Sequence, residues 1–225
     1  MINTLEIINR KQNAQEIFEP AKHPKALFVL AHGAGADMNH EFMNDFSARL
    51  NAEGISVLRF NFPYMVKRSE DGKRRPPDRM PKLLESYLSV LSFLDTQLPI
   101  YIGGKSMGGR VAATLMNEAV SHEYFTKICG AVCLGYPFHP QKKTEKLRLE
   151  PLQETQKNIL IIQGERDALG SKEEIGDYNL SQLCQVIFVE DGDHNLKPRV
   201  KSGYTHQQHI NTAIEAIVRF IDENS

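Results

Sequence analysis

Short apolar runs alternate with amphipathic segments along this chain, and that alternation constrains the fold more than any other feature. The runs are Ala26–Ala31, Ile55–Phe60, Ile100–Gly103, Ala131–Leu134, Ile159–Ile162 and Val186–Val189. Most are continuous rather than alternating, as expected of strands covered on both faces in a parallel sheet. Between them Phe42, Phe46 and Leu50 recur at helical spacing. Leu83, Leu84, Tyr87, Leu88, Leu91 and Leu94 make a second stripe, Val111, Leu115 and Ala119 a third, and Ile210, Ala213, Ile214, Ile217 and Phe220 a fourth. The order predicts an α/β fold, a mostly parallel sheet with helices on both faces. Two more short strands are expected around Leu5–Ile8 and Glu16–Phe18, as an antiparallel entry hairpin. With 225 residues and no repeat or linker, residues 1–225 read as one domain.

In open α/β sheets the ligand site lies beyond the carboxyl ends of the strands. After Ile100–Gly103 comes Gly104-Lys105-Ser106-Met107-Gly108-Gly109, then a helix. A GxSxG pattern is expected only about 0.05 times by chance at this glycine and serine content. Its placement between strand and helix suits a serine lifted clear of the sheet on a sharp turn, with glycines where a Cβ would clash. The N–H of Met107 is then expected to face an oxyanion site. Gln163-Gly-Glu-Arg-Asp167 and Glu190-Asp-Gly-Asp-His194 follow two later strands. A serine hydroxyl needs an adjacent base, and the base needs a third group to fix its tautomer. Ser106, Asp167 and His194, each just past its own strand, are the candidates, with Glu165 and Asp191 as rival acids. Gly104-Lys105-Ser106 resembles the tail of a phosphate-binding loop, but Pro99 occupies the glycine position that loop requires. No HExxH, Cys/His cluster or calcium-loop spacing occurs, so neither metal nor cofactor is expected.

The motifs HGAGA (His32–Ala36), GKSMGG, QGERD and DGDHN, in that order, resemble the α/β-hydrolase superfamily over essentially the whole chain. Arg59–Tyr64, Gly103–Arg110 and Gly135–Pro140 are similar to a narrower branch, the dienelactone hydrolases, small esterases and testis-expressed hydrolase-like proteins of animals. The resemblance implies an α/β-hydrolase fold and a serine-hydrolase site on Ser106, His194 and Asp167. It also implies the N–H of Ala34 as the second oxyanion donor beside Met107. Ser106 stands where dienelactone hydrolases carry a cysteine. The implied reaction is cleavage of a carboxylic ester or thioester through an acyl-enzyme, on a small-molecule acyl substrate. The same residues would serve acyl transfer to another acceptor or perhydrolysis, and a fold of this kind can also act as a non-catalytic interaction module.

Gly135 to Lys157 spans 23 residues where larger members insert a cap, and one helix near Lys143–Thr155 is expected there. The cap is therefore minimal and the site open. Tyr136, Phe138 and His139 are expected to line one wall as substrate-binding residues. Phe62, Pro63 and Tyr64 are expected to form another, with Tyr64 reaching a substrate oxygen. The stretch from Tyr64 to Pro81 reads as irregular. Its portion from Lys67 to Arg79 is basic and reads as a solvated loop, or as an arginine site (Arg74, Arg75, Arg79) for an anionic substrate group.

The formal net charge of −1 argues against nucleic acid as a partner. No apolar run approaches a membrane span, and no targeting signal is evident, so a cytoplasmic, membrane-free protein is expected. Three cysteines make no disulfide framework.

Overall fold

The computed structural model describes residues 15–118 and 123–225. Among these residues seven strands form one sheet: β1 (Glu16–Glu19), β2 (Ala26–Ala31), β3 (Ile55–Phe60), β4 (Ile100–Lys105), β5 (Ile128–Leu134), β6 (Asn158–Gly164) and β7 (Cys184–Val189). Their order is β1-β3-β2-β4-β5-β6-β7. All pair in parallel except β1, which runs antiparallel to β3. Leu5–Ile8 lies outside the described residues, so the expected hairpin is represented by β1 alone. β1 is fastened to β3 by the nearly buried Arg59, whose Nη2 lies 3.0 Å from Glu19 Oε2.

The continuous apolar runs have the expected cause. Every residue of β2 is buried, because helices cover both faces. Leu27, Val29 and Ala31 share one core with Leu83, Tyr87, Val111 and Leu115. Those four lie on α3 (Met80–Ser92) and α4 (Met107–Glu118). Ala26, Phe28 and Leu30 share the other core with Phe46, Leu50 and Ile217, on α1 (Glu41–Ala52) and α7 (His206–Asn224). Each such fully buried side chain contributes roughly 1.5–3 kcal/mol of transfer free energy.

Two segments depart from expectation. Residues 63–71 are a helix, α2 (Pro63–Asp71), not an irregular stretch. Pro63 sits in its first turn, where the missing N–H is harmless, and Gly72 ends it in the left-handed region at φ 71°. Between Gly135 and Lys157 the helix is shorter than expected. Only α5 (Glu150–Gln153) forms, with Pro151 in its first turn, and the preceding residues are turns. Buried Leu152 anchors it. A further short helix, α6 (Lys172–Gly176), follows β6 and carries a capping box between Ser171 and Glu174. No helix of the described residues is long and apolar enough to cross a membrane.

The parallel register brings the carboxyl ends of the strands to one edge. Ala31 pairs with Gly104 and Phe60, Leu134 with Lys105 and Ile162, and Gly164 with Val189. The loops after β2, β4, β6 and β7 therefore meet above the same end of the sheet.

Candidate active site

Ser106 occupies the single residue between β4 and α4 and has φ 52°, a left-handed conformation unusual for a residue with a Cβ. The turn is possible because glycines stand two residues to either side. A Cβ on Gly104 would lie 2.4 Å from the Ala31 carbonyl oxygen, and one on Gly108 2.5 Å from the same atom. The Ser106 N–H donates to the Leu134 carbonyl, and its own carbonyl accepts from Arg110 N, so the strained residue is held on both sides.

The loops after β6 and β7 bring two more side chains to it. His194 Nε2 lies 2.8 Å from Ser106 Oγ. His194 Nδ1 lies 2.7 Å from Asp167 Oδ2. An ionised carboxylate only accepts, so Nδ1 carries the proton and Nε2 is left as an acceptor for the serine hydroxyl. Asp167 is buried, and both its oxygens are engaged. Gln163 Nε2 donates to Oδ2 at 2.9 Å and Leu169 N to Oδ1 at 2.8 Å. The rival acids are occupied elsewhere. Glu165 accepts from Lys172 Nζ and Asp191 N, and Asp191 pairs with Arg166 and Arg199. The His194 loop is itself ordered, because Asp193 Oδ1 accepts the N–H groups of Asn195 and Lys197.

The loop after β2 approaches from the other side. His32 is buried, and burial pulls its pKa down to about 4, so the ring is neutral. Its Nε2 accepts from Phe62 N at 3.1 Å, which leaves Nδ1–H to donate to the Gly33 carbonyl at 2.7 Å. Tyr64 Oη contacts the Gly33 and Ala34 carbonyls at 3.3 and 3.0 Å. In a trans peptide the N–H points opposite the carbonyl. With the Gly33 carbonyl drawn toward His32 and Tyr64, the Ala34 N–H is turned away from them. Met107 is the first residue of α4, adjacent to Ser106.

A cavity of about 720 Å³ opens over Ser106 and His194. Its walls are the HGAGA loop and the first turns of α1 and α7, with His40, Phe42, His206 and Ile210 among them. These residues carry no motif, and sequence reasoning did not single them out as site residues. The aromatic residues expected to line the site do not border this cavity. Tyr136 and Phe138 are fully buried. The Tyr136 hydroxyl donates to the Arg148 carbonyl, and Phe138 packs on Tyr136 and Tyr178. His139 is buried beside Glu174, 3.2 Å away. All three fasten the 135–157 segment to the body of the protein. Phe62 is likewise buried, and Tyr64 spends its hydroxyl on the HGAGA loop.

The Lys67–Arg79 segment does not border the cavity either. Arg75 holds Asp71 through both terminal guanidinium nitrogens, Nη1 and Nη2, and Lys82 pairs with Asp78. Among the described residues no group of three or more His, Cys, Asp or Glu side chains could hold a metal ion.

Fold and sequence together define the class: a family profile described as an alpha/beta hydrolase domain matches residues 24–222, and the chain belongs to that family. Among solved structures it resembles Est1E from Butyrivibrio proteoclasticus with ferulic acid bound, at 16% identity, TM-score 0.67, covering 93% of this chain and 94% of that one. A dienelactone hydrolase from Anabaena variabilis matches at 16% identity and TM-score 0.67, over 89% and 88% of the two chains. An a/b serine hydrolase without lid from Xanthomonas campestris matches at 15% identity and TM-score 0.59, over 93% and 86%.

Proposed function

We propose that this protein is a serine hydrolase that cleaves a carboxylic ester or thioester of a small acyl substrate through an acyl-enzyme. The observation that carries this reading is the continuous relay from Ser106 Oγ to His194 Nε2 at 2.8 Å and from His194 Nδ1 to Asp167 Oδ2 at 2.7 Å. The hydrolases among its structural neighbours agree with it. Ser106 Oγ attacks the acyl carbon as His194 Nε2 takes its proton. The N–H groups of Met107 and Ala34 receive the negative charge on the carbonyl oxygen. His194 then gives the proton to the departing alcohol or thiol. Water, deprotonated by His194, attacks the acyl-enzyme and releases the acid and Ser106. Asp167 fixes the imidazole tautomer and stabilises the imidazolium without taking its proton.

A fluorophosphonate is expected to label the protein at Ser106. Ser106→Ala is expected to abolish labelling while thermal unfolding stays within a few degrees of wild type. His194→Ala should lower the hydrolysis of a short p-nitrophenyl ester by a factor of about 10³ or more, since an unactivated serine is a poor nucleophile. Labelling at another serine, or near-full esterase activity without His194, would contradict the assignment.

A further inference from the structure

Lys105 immediately precedes Ser106, and the mechanism above leaves it without a role. Its position is unusual for a lysine. It is the last residue of β4 and only 8% exposed, yet it lines the floor of the cavity. Its Nζ donates to the main-chain carbonyl of His194 at 2.5 Å. That bond joins the strand carrying the serine to the loop carrying the histidine.

The surroundings fit the contact. Gly135 has φ 66°, and a Cβ there would fall 2.8 Å from the His194 carbonyl oxygen, 3.0 Å from Lys105 Nζ and 3.4 Å from His194 Cε1. A side chain at 135 would intrude on the ammonium, the carbonyl and the imidazole edge together. Asp167 and Asp193 favour the charged form of Lys105, but burial dominates and pulls its pKa down to about 8. The ammonium thus persists at neutral pH despite strong desolvation. The titratable groups around it are Asp167, Asp193 and His194, with His40, Glu41, Asp45 and His206 on the cavity wall.

We propose that Lys105 is a positioning residue for His194. Its bond to the His194 carbonyl fixes the loop so that Nε2 meets Ser106. The inference rests on the serine-hydrolase reading of the same site.

The test is Lys105→Met, which keeps the apolar stem and removes donor and charge. With a neutral p-nitrophenyl ester, kcat is expected to fall about ten- to a hundredfold while KM changes less than about threefold, because the loss is in alignment rather than in ground-state binding. Lys105→Arg, which restores cation and donor, should recover kcat toward wild type. Gly135→Ala probes the contact without removing Lys105, and it should lower kcat. Wild-type kcat in folded Lys105→Met would overturn the role, and so would wild-type kcat in Gly135→Ala should Lys105→Met fail to fold. These outcomes are separable from failure of the underlying reading. If wild-type protein is not labelled by fluorophosphonate, the hydrolase assignment falls and this role with it. If wild-type protein is labelled at Ser106 and the variants behave as wild type, only the role of Lys105 falls.

Discussion

At the scale of single residues, several hydroxyls and rings near the site hold loops rather than face the cavity. Tyr64 is the clearest case, its buried hydroxyl shared between the Gly33 and Ala34 carbonyls. Tyr64→Phe keeps the packing and removes that hold. We expect about 1 kcal/mol of lost stability, the usual net worth of such a bond, and a drop in kcat of about tenfold as the Ala34 N–H loses its orientation. Thermal unfolding and steady-state kinetics on a short ester check both, and an unchanged kcat would count against Ala34 as the proposed oxyanion donor. Lys105 shows a different balance. Its folded pKa of about 8 lies below the ordinary 10.5. The unfolded chain therefore binds more protons between those values, and this group's contribution to stability rises as pH climbs from about 8 to 10.5. Below pH 8 the buried charge costs about 3 kcal/mol. Lys105→Met is thus expected to match or exceed the wild-type melting temperature at pH 7 while losing activity, a pattern found where a site sacrifices stability for function.

At the scale of elements, the segment between β5 and β6 holds only the four-residue α5 and is sealed down by buried Tyr136, Phe138 and Leu152. Nothing in it resembles a lid over Ser106. Turnover of an ester is expected to rise smoothly with concentration through the onset of micelles or emulsion, and short and medium acyl chains should be preferred over long lipids. An abrupt rate increase at the interface would contradict this. The strands were legible in the sequence because two-sided burial demands continuous apolar runs. β2 and β3 match their runs residue for residue, whereas β5 starts earlier, at Ile128, where Cys129 and Gly130 give a weak signal. The candidate triad was legible because each member directly follows a strand, so chain order alone placed the three at one edge of the sheet. The cavity walls were not. His40, Phe42, His206 and Ile210 reach the site through the docking of α1 and α7, and nothing local in the sequence encodes that. Tyr136 and Phe138 misled for a related reason, since an aromatic after a strand end serves packing as readily as binding. The helix α2 was hidden by its charge, although Pro63 and Gly72 mark its two ends.

At the scale of the whole molecule, acid should weaken the fold through His32. Its folded pKa of about 4 lies below the unfolded value near 6.5. Between those values the unfolded chain binds more protons, so stability falls as pH drops from 6.5 to 4, by up to about 3 kcal/mol from this group. Urea unfolding at pH 7, 5.5 and 4 measures the slope, and His32→Gln should flatten it. An identical slope in the variant would assign the acid sensitivity to other groups. The three proposed catalytic side chains are also far apart along the chain. Ser106 lies 88 positions from His194, and Asp167 lies 27 from it. They sit on loops after β4, β6 and β7, and β5 lies between the first two in the sheet. No fragment lacking one of those strands can assemble the relay. Contacts so distant in sequence form late in refolding, because loop closure precedes their reward. Recovery of nucleophilic reactivity at Ser106 therefore works as a clock for completion of the sheet, and it should trail the return of helical signal rather than accompany it.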